Sequence, residues 1–130
     1  MDLVHAVIAL ALLQFFVFAG LVGKARITFG INAPAVSGDP VYERYHRVHY
    51  NTMEQLVIFI PGMLLFGSYV SSSVAAGLGL LFIIARVVYF RAYLADPAKR
   101  GPGYGMTMLP MAILLLGGLG GASWSVVTAL

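Results

Sequence analysis

The chain alternates between long apolar runs and short polar breaks. Residues 3–23 are apolar apart from His5 and Gln14, and a run of that length suits one crossing of a roughly 30 Å hydrocarbon core. A polar connection follows over residues 24–40, where Gly30, Pro34, Gly38 and Pro40 break regular structure. The next segment begins Tyr42-Glu43-Arg44-Tyr45-His46-Arg47 and passes into an apolar run with no turn signal between. One helix over about residues 43–69 is expected, on the order of 40 Å long at 1.5 Å per residue. That exceeds the hydrocarbon core, so its first turns should stand in the headgroup layer. Ser71-Ser72-Ser73 marks an uncharged turn, and a third helix is expected over about residues 74–94. Residues 96–103 read as a loop by their Pro and Gly content, and a fourth helix follows over about residues 104–128. Pro61 and Pro110 are expected to kink their helices. The pattern predicts an all-α membrane protein, one domain over residues 1–130 built as a bundle of four transmembrane helices.

Composition agrees with a membrane protein. The chain is 60% hydrophobic and 10% charged, whereas a soluble domain carries about 25% charged residues. There is no cysteine, so no protein thiol serves as nucleophile, metal ligand or disulfide partner. The N-terminus lacks a basic leader, and the first apolar run is expected to be retained as a span. All eight Lys and Arg residues fall in or beside two connections. Lys24, Arg26, Arg44 and Arg47 flank the first, and Arg86, Arg91, Lys99 and Arg100 the third. The positive-inside rule then puts both basic connections in the cytoplasm and both termini on the opposite side. Small residues at Ala75, Ala76, Gly77 and Gly79, and again at Gly117, Gly118, Gly120, Gly121 and Ala122, mark close helix packing within a bundle or between copies. Trp124 reads as an interface anchor.

Two polar stripes carry the candidate chemistry. Arg44, Arg47, Asn51 and Glu54 are spaced three, four and three apart, on one helical face. Arg86, Tyr89 and Tyr93 are spaced three and four apart, with Arg100 seven residues further on. Both stripes lie at the basic ends of their helices and can converge on one anion-binding pocket. Arginine and tyrosine also belong at membrane interfaces, where they snorkel, and that reading suits Lys24, Arg91 and Lys99. It does not account for Asn51 and Glu54, which need internal partners. An ion pair of Glu54 with Arg47 or Arg86 is the structural alternative. His46 and His49 are three residues apart, which at a helix end marks an interface more often than a metal site, and no metal is expected. The basic residues sit at a membrane face without a recognition motif, so no nucleic acid is expected either.

The segment Arg47-Val-His49-Tyr-Asn51-Thr-Met-Glu54 resembles the second-helix signature Arg-Ala-x-x-Asn-x-x-Glu of the MAPEG family, membrane-associated proteins in eicosanoid and glutathione metabolism. Arg86-Val-Val-Tyr89-Phe-x-x-Tyr93 resembles the family's third-helix motif. The likeness extends over essentially the whole chain in length, spans and motif order. It implies a homotrimer that binds glutathione between neighbouring protomers near the cytoplasmic face. It further implies glutathione contacts at Arg26, Arg47, His49, Asn51, Glu54, Arg86, Tyr89 and Tyr93, with Arg100 stabilising the thiolate. Ile27 stands where the leukotriene-synthase branch has another arginine, and Gln55 where it has a tyrosine. A general membrane glutathione transferase or peroxidase acting on lipophilic electrophiles is therefore the expected function. A non-catalytic lipid-binding or scaffold relative is the alternative. A small multidrug transporter ranks lower, because the first span carries no acid within its apolar run.

The chemistry suits such a ligand. Glutathione offers two carboxylates, an ammonium and a thiol. Guanidinium groups pair carboxylates through a two-pronged hydrogen-bond fork, and a carboxylate such as Glu54 suits the ammonium. A thiol of pKa about 8.5 is only a few per cent ionised at about pH 7. Two units of depression need roughly 2.7 kcal/mol of preferential thiolate stabilisation, within reach of a partly desolvated arginine.

Overall fold

In the computed structural model, which describes residues 1–130, four long helices follow one another: α1 Asp2–Phe29, α2 Pro40–Tyr69, α3 Ser72–Ala95 and α4 Gly101–Ala129, with a single 3-10 turn at Pro97–Lys99 before α4. There are no strands. Each of the four is long and apolar enough to cross a membrane.

The helix ends follow local chemistry. The first helix continues six residues beyond the expected end at Gly23, because Lys24, Arg26 and Thr28 add a polar last turn rather than a connection. Cations in that position face the negative end of the helix dipole. Gly30 then ends α1 in the left-handed conformation, φ 70°, and the Ile31 N–H donates to the Arg26 carbonyl at 3.0 Å. This is the glycine-terminated cap that residues with a Cβ adopt poorly. The Arg26 guanidinium reaches on to the Ala35 carbonyl at 2.7 Å and tethers the connection. The Asp39 carboxylate caps α2, accepting from the Val41 and Tyr42 N–H groups at 2.9 Å each, and Pro40 occupies the first turn, where no N–H is needed. Ser71 caps α3 by accepting from the Val74 N–H at 3.2 Å.

Gly101, Pro102 and Gly103 are not loop, as their composition suggests. They form the first turn of α4, which tolerates proline for the same reason as α2 does. Both α2 and α4 run through their internal prolines, Pro61 and Pro110, without interruption.

The central helices α2 and α3 each pack against all the others. The main apolar core fills the half of the bundle away from the basic connections and includes Val4, Val7, Leu56, Phe59, Met63, Phe66, Phe82 and Leu114. Phe59 and Phe82 stack at 3.9 Å. Gly117, Gly118 and Gly121 lie directly over Leu65, Phe66 and Tyr69 of α2, and Gly79 over Val7 and Met63. These small residues therefore serve packing within the bundle, whereas Gly77 and Gly120 face outward with nothing near them. Gln14, the one amide of α1, donates to the Ile83 carbonyl of α3 at 2.9 Å, so its polarity is used inside the bundle. Only 28 of 130 residues are buried. The remaining apolar surface, with Phe16, Val57, Ile84 and Leu116 widely exposed, is left for lipid or for another copy.

Candidate functional site

At the basic end of the bundle the core thins. Small clusters replace it: Phe18 with Val48 and Tyr89, and Val22 with Ala25 and Tyr42. Here a cleft of about 210 Å³ opens between α2, α3 and the start of α4, lined by Arg47, Tyr50, Asn51, Glu54, Tyr89, Tyr93 and Arg100. Six of the nine candidate residues thus share one cavity. The α2 side supplies a cation, an amide and a carboxylate from successive turns. The α3 side supplies two phenols, whose rings lie 5.6 Å apart. Arg47, Glu54 and Arg100 are exposed, and Tyr89 is buried.

Arg100 occupies the residue just before α4. One of its terminal guanidinium nitrogens donates to the Pro97 carbonyl at 2.9 Å, which holds the guanidinium over the 3-10 turn. A charged ligand group near Arg100 would meet two positive features together, the guanidinium and the N-terminal end of a long helix. Below it, Gly103 is buried against the backbone of Tyr89; a Cβ there would lie 2.7 Å from the Tyr89 Cα and N atoms. This close approach sets the start of α4 against the phenol-bearing turn of α3.

Three candidates lie elsewhere in the protomer. Arg86 is fully buried behind the cleft. Its Nη1 donates to the Asn51 Oδ1 at 2.8 Å and to the Thr52 Oγ1 at 3.4 Å, and the guanidinium carbon sits 4.3 Å from the centre of the Tyr89 ring. Arg86 therefore bonds an amide and a hydroxyl rather than Glu54. His49 points toward α1 and stacks on Phe15 at 4.6 Å, nearly parallel. Arg26 holds Ala35 and lies 5.1 Å from the centre of the Tyr42 ring. Arg44, part of the α2 stripe, donates to the Leu94 carbonyl at 2.8 Å. It lines a larger recess of about 540 Å³ with Glu43 and His46, which shares Arg47 and Tyr93 with the cleft.

Tyr50 was not among the candidates, although its spacing of three from Arg47 and four to Glu54 puts it on their face. Thr52 and Gly103 carried no such signal, because their roles depend on how neighbouring helices meet. No group of three or more His, Cys, Asp or Glu side chains is placed to hold a metal ion.

Comparison with known proteins agrees with the two motifs. The family model described as the MAPEG family matches residues 3–120. Human microsomal glutathione S-transferase 2 is 39% identical over 119 residues, covering 91% of this chain and 81% of that protein. An uncharacterized protein of Synechocystis is 38% identical over 116 residues, covering 89% and 85%. Bovine leukotriene C4 synthase is 30% identical over 110 residues, covering 84% and 73%. With four helices of spanning length and a family match over nearly its whole length, this chain is a multi-pass membrane protein that belongs to the MAPEG family.

Proposed function

We propose that this protein is a membrane glutathione transferase, with peroxidase activity on lipid hydroperoxides as a second use of the same thiolate. The observation that carries the reading is the cleft itself. It places one carboxylate, Glu54, among two arginines, Arg47 and Arg100, and three phenols. That charge pattern complements a zwitterionic tripeptide thiol better than it complements a lipid or a simple anion. In this reading Glu54 takes the glutathione ammonium, and Arg47 a carboxylate. Asn51 and the phenols of Tyr89 and Tyr93 take the remaining polar groups. Arg100 and the N-terminus of α4 stabilise the sulfur as thiolate, the form that attacks. In conjugation the thiol proton leaves to solvent, the sulfur bonds to the electrophilic carbon, and the leaving group departs with its electron pair. In peroxide reduction the thiolate attacks the terminal oxygen and the O–O bond breaks, giving glutathione sulfenic acid and an alkoxide that takes a proton from solvent to leave as the alcohol. A second glutathione thiol then attacks the sulfenic sulfur, giving the disulfide and releasing water. The electrophile reaches the cleft from the lipid side.

The assembly in this reading is a homotrimer, supported by the family resemblance and by a cleft whose charged members are exposed in the single protomer. Arg26 and His49, which lie away from their own protomer's cleft, would then serve a neighbour's cleft, or else only the contacts they already make, Arg26 with the Ala35 carbonyl and His49 with Phe15.

Calorimetric titration of glutathione into the detergent-purified protein tests the function. Saturable binding is expected, weakened about fivefold in Arg47→Ala and in Glu54→Ala, the loss of roughly 1 kcal/mol for each partly solvated charge pair. Absence of binding to the unaltered protein would overturn the transferase reading in favour of a lipid-binding role.

We further propose that the cleft faces the cytoplasm, because the Lys and Arg residues gather toward the two connections at this end of the bundle and none lies at the other end. The absence of cysteine makes this direct to test. Single cysteines at Ser37 and Ser125 are expected to react with a membrane-impermeant maleimide from opposite sides of sealed vesicles, Ser37→Cys from the cytoplasmic side. Labelling of both from one side would contradict the four-span arrangement, and the reverse pattern would invert the orientation.

A further inference from the structure

Arg86 is the largest fully buried side chain of the molecule, and it lies behind the cleft rather than in it. A guanidinium group only donates hydrogen bonds. The Asn51 atom facing it at 2.8 Å must therefore be the amide oxygen, and the choice between the two amide orientations is settled by chemistry. With Oδ1 turned back to Arg86, the Nδ2 group is left to donate into the cleft that Asn51 lines. Arg86 also lies against the face of Tyr89 at 4.3 Å, so it touches one cleft residue on each of the two central helices. Its Nε and Nη2 groups have no partner. No carboxylate accepts from it, and its charge stays available to the electrostatics of the cleft.

We propose that Arg86 is a positioning residue. It locks the Asn51 amide so that the cleft presents an N–H donor, and thereby selects a carboxylate or carbonyl oxygen of the ligand at that point. This rests on the glutathione reading and refines it: the group opposite Asn51 is an acceptor, and an ammonium or hydroxyl donor placed there is disfavoured. A buried arginine without a carboxylate is costly to keep. A function in fixing its neighbour accounts for a cation where an apolar side chain would pack more favourably.

The test is a double-mutant cycle on glutathione affinity, using the full chain in detergent with Arg86→Met, Asn51→Ala and the pair. Each single change is expected to weaken binding about fivefold, and the double variant no more than either, because both remove the same donor. The loss should fall on KM with kcat little changed, and Arg86→Lys, which keeps a buried donor, should recover part of it. Losses that multiply to about 25-fold, or an Arg86→Met variant that binds as the unaltered protein does, would overturn the positioning role. Asn51→Asp serves should Arg86→Met fail to fold. It keeps the shape and gives Arg86 a carboxylate, so melting temperature is expected to rise while glutathione binding falls; undiminished binding would refute the proposal. Failure of the unaltered protein to bind glutathione would be a different result, removing the transferase reading and this ligand assignment together.

Discussion

On the proposed function, Arg100→Gln is expected to lower kcat/KM for conjugation of an aryl halide about tenfold to a hundredfold at neutral pH, with glutathione affinity falling only about fourfold. The two figures follow from one cause. If Arg100 and the start of α4 lower the bound thiol from about 8.5 to about 6.5, roughly three-quarters of bound glutathione is thiolate at pH 7. Without the arginine the fraction drops to about 3%. Linkage passes only the ratio of the two ionisation polynomials to the binding constant, which is about four at that pH. Rate follows the thiolate population, about 25-fold. A thiolate of higher pKa is intrinsically the better nucleophile and returns part of that loss. Loss of a charge that orients the sulfur removes more. The pH dependence gives the sign check. At saturating glutathione the thiolate fractions converge as pH rises through the unperturbed value, so turnover of the variant should approach that of the unaltered protein near about pH 9, while the gap in glutathione affinity widens over the same range. Stopped-flow ultraviolet absorbance of the thiolate, read beside turnover, checks both parts. Full turnover with undiminished thiolate in Arg100→Gln would remove Arg100 from the mechanism.

How far the site was legible in the sequence depends on the kind of geometry each residue needs. Spacing within one helix is fixed by 3.6 residues per turn, so the convergence of Arg47, Asn51 and Glu54 could be read directly, and Tyr50 was readable by the same rule. The same periodicity argues against His49 joining them, since two residues along a helix turn the side chain about 200°; it stacks on Phe15 instead. Contacts that depend on the register between helices had no signature. Arg86 shares a face with Tyr93, yet it is the deeper of the two and meets Asn51 and Thr52 of α2, whose oxygens turn it inward. The misplaced end of α1 has a plainer origin. Lys24 looked like the close of an apolar run, but helices extend past the hydrocarbon wherever their last turn is polar, and the stop signal was Gly30.

Gly103→Ala is expected to cost more than its single methyl suggests, about 1–3 kcal/mol of stability, and to reduce turnover at least as much as Arg100→Gln does. The added Cβ would stand 2.7 Å from the Cα and N atoms of Tyr89, so no rotamer change can relieve it; one helix must move. Gly103 lies in the first turn of α4, three residues after Arg100, and Tyr89 lines the cleft. Displacing α4 from α3 therefore shifts the proposed thiolate-stabilising arginine and a phenol relative to each other, and a displacement of about 1 Å can cost a hundredfold in rate. The contrast with Gly105 isolates the cause. That residue is two positions further along the same helix and has nothing within 4 Å of its would-be Cβ. Gly105→Ala should be neutral, or stabilise by up to about 1 kcal/mol through helix propensity. Thermal melting of the two variants in the same detergent, with and without glutathione, separates local crowding from a general intolerance of α4 to larger residues. Equal melting temperatures for the two would mean that the contact of α4 with Tyr89 does not hold the site together. A selective loss in Gly103→Ala would make this helix crossing the hinge of the cleft's geometry, linking a glycine with no chemistry of its own to the reactivity of a bound sulfur.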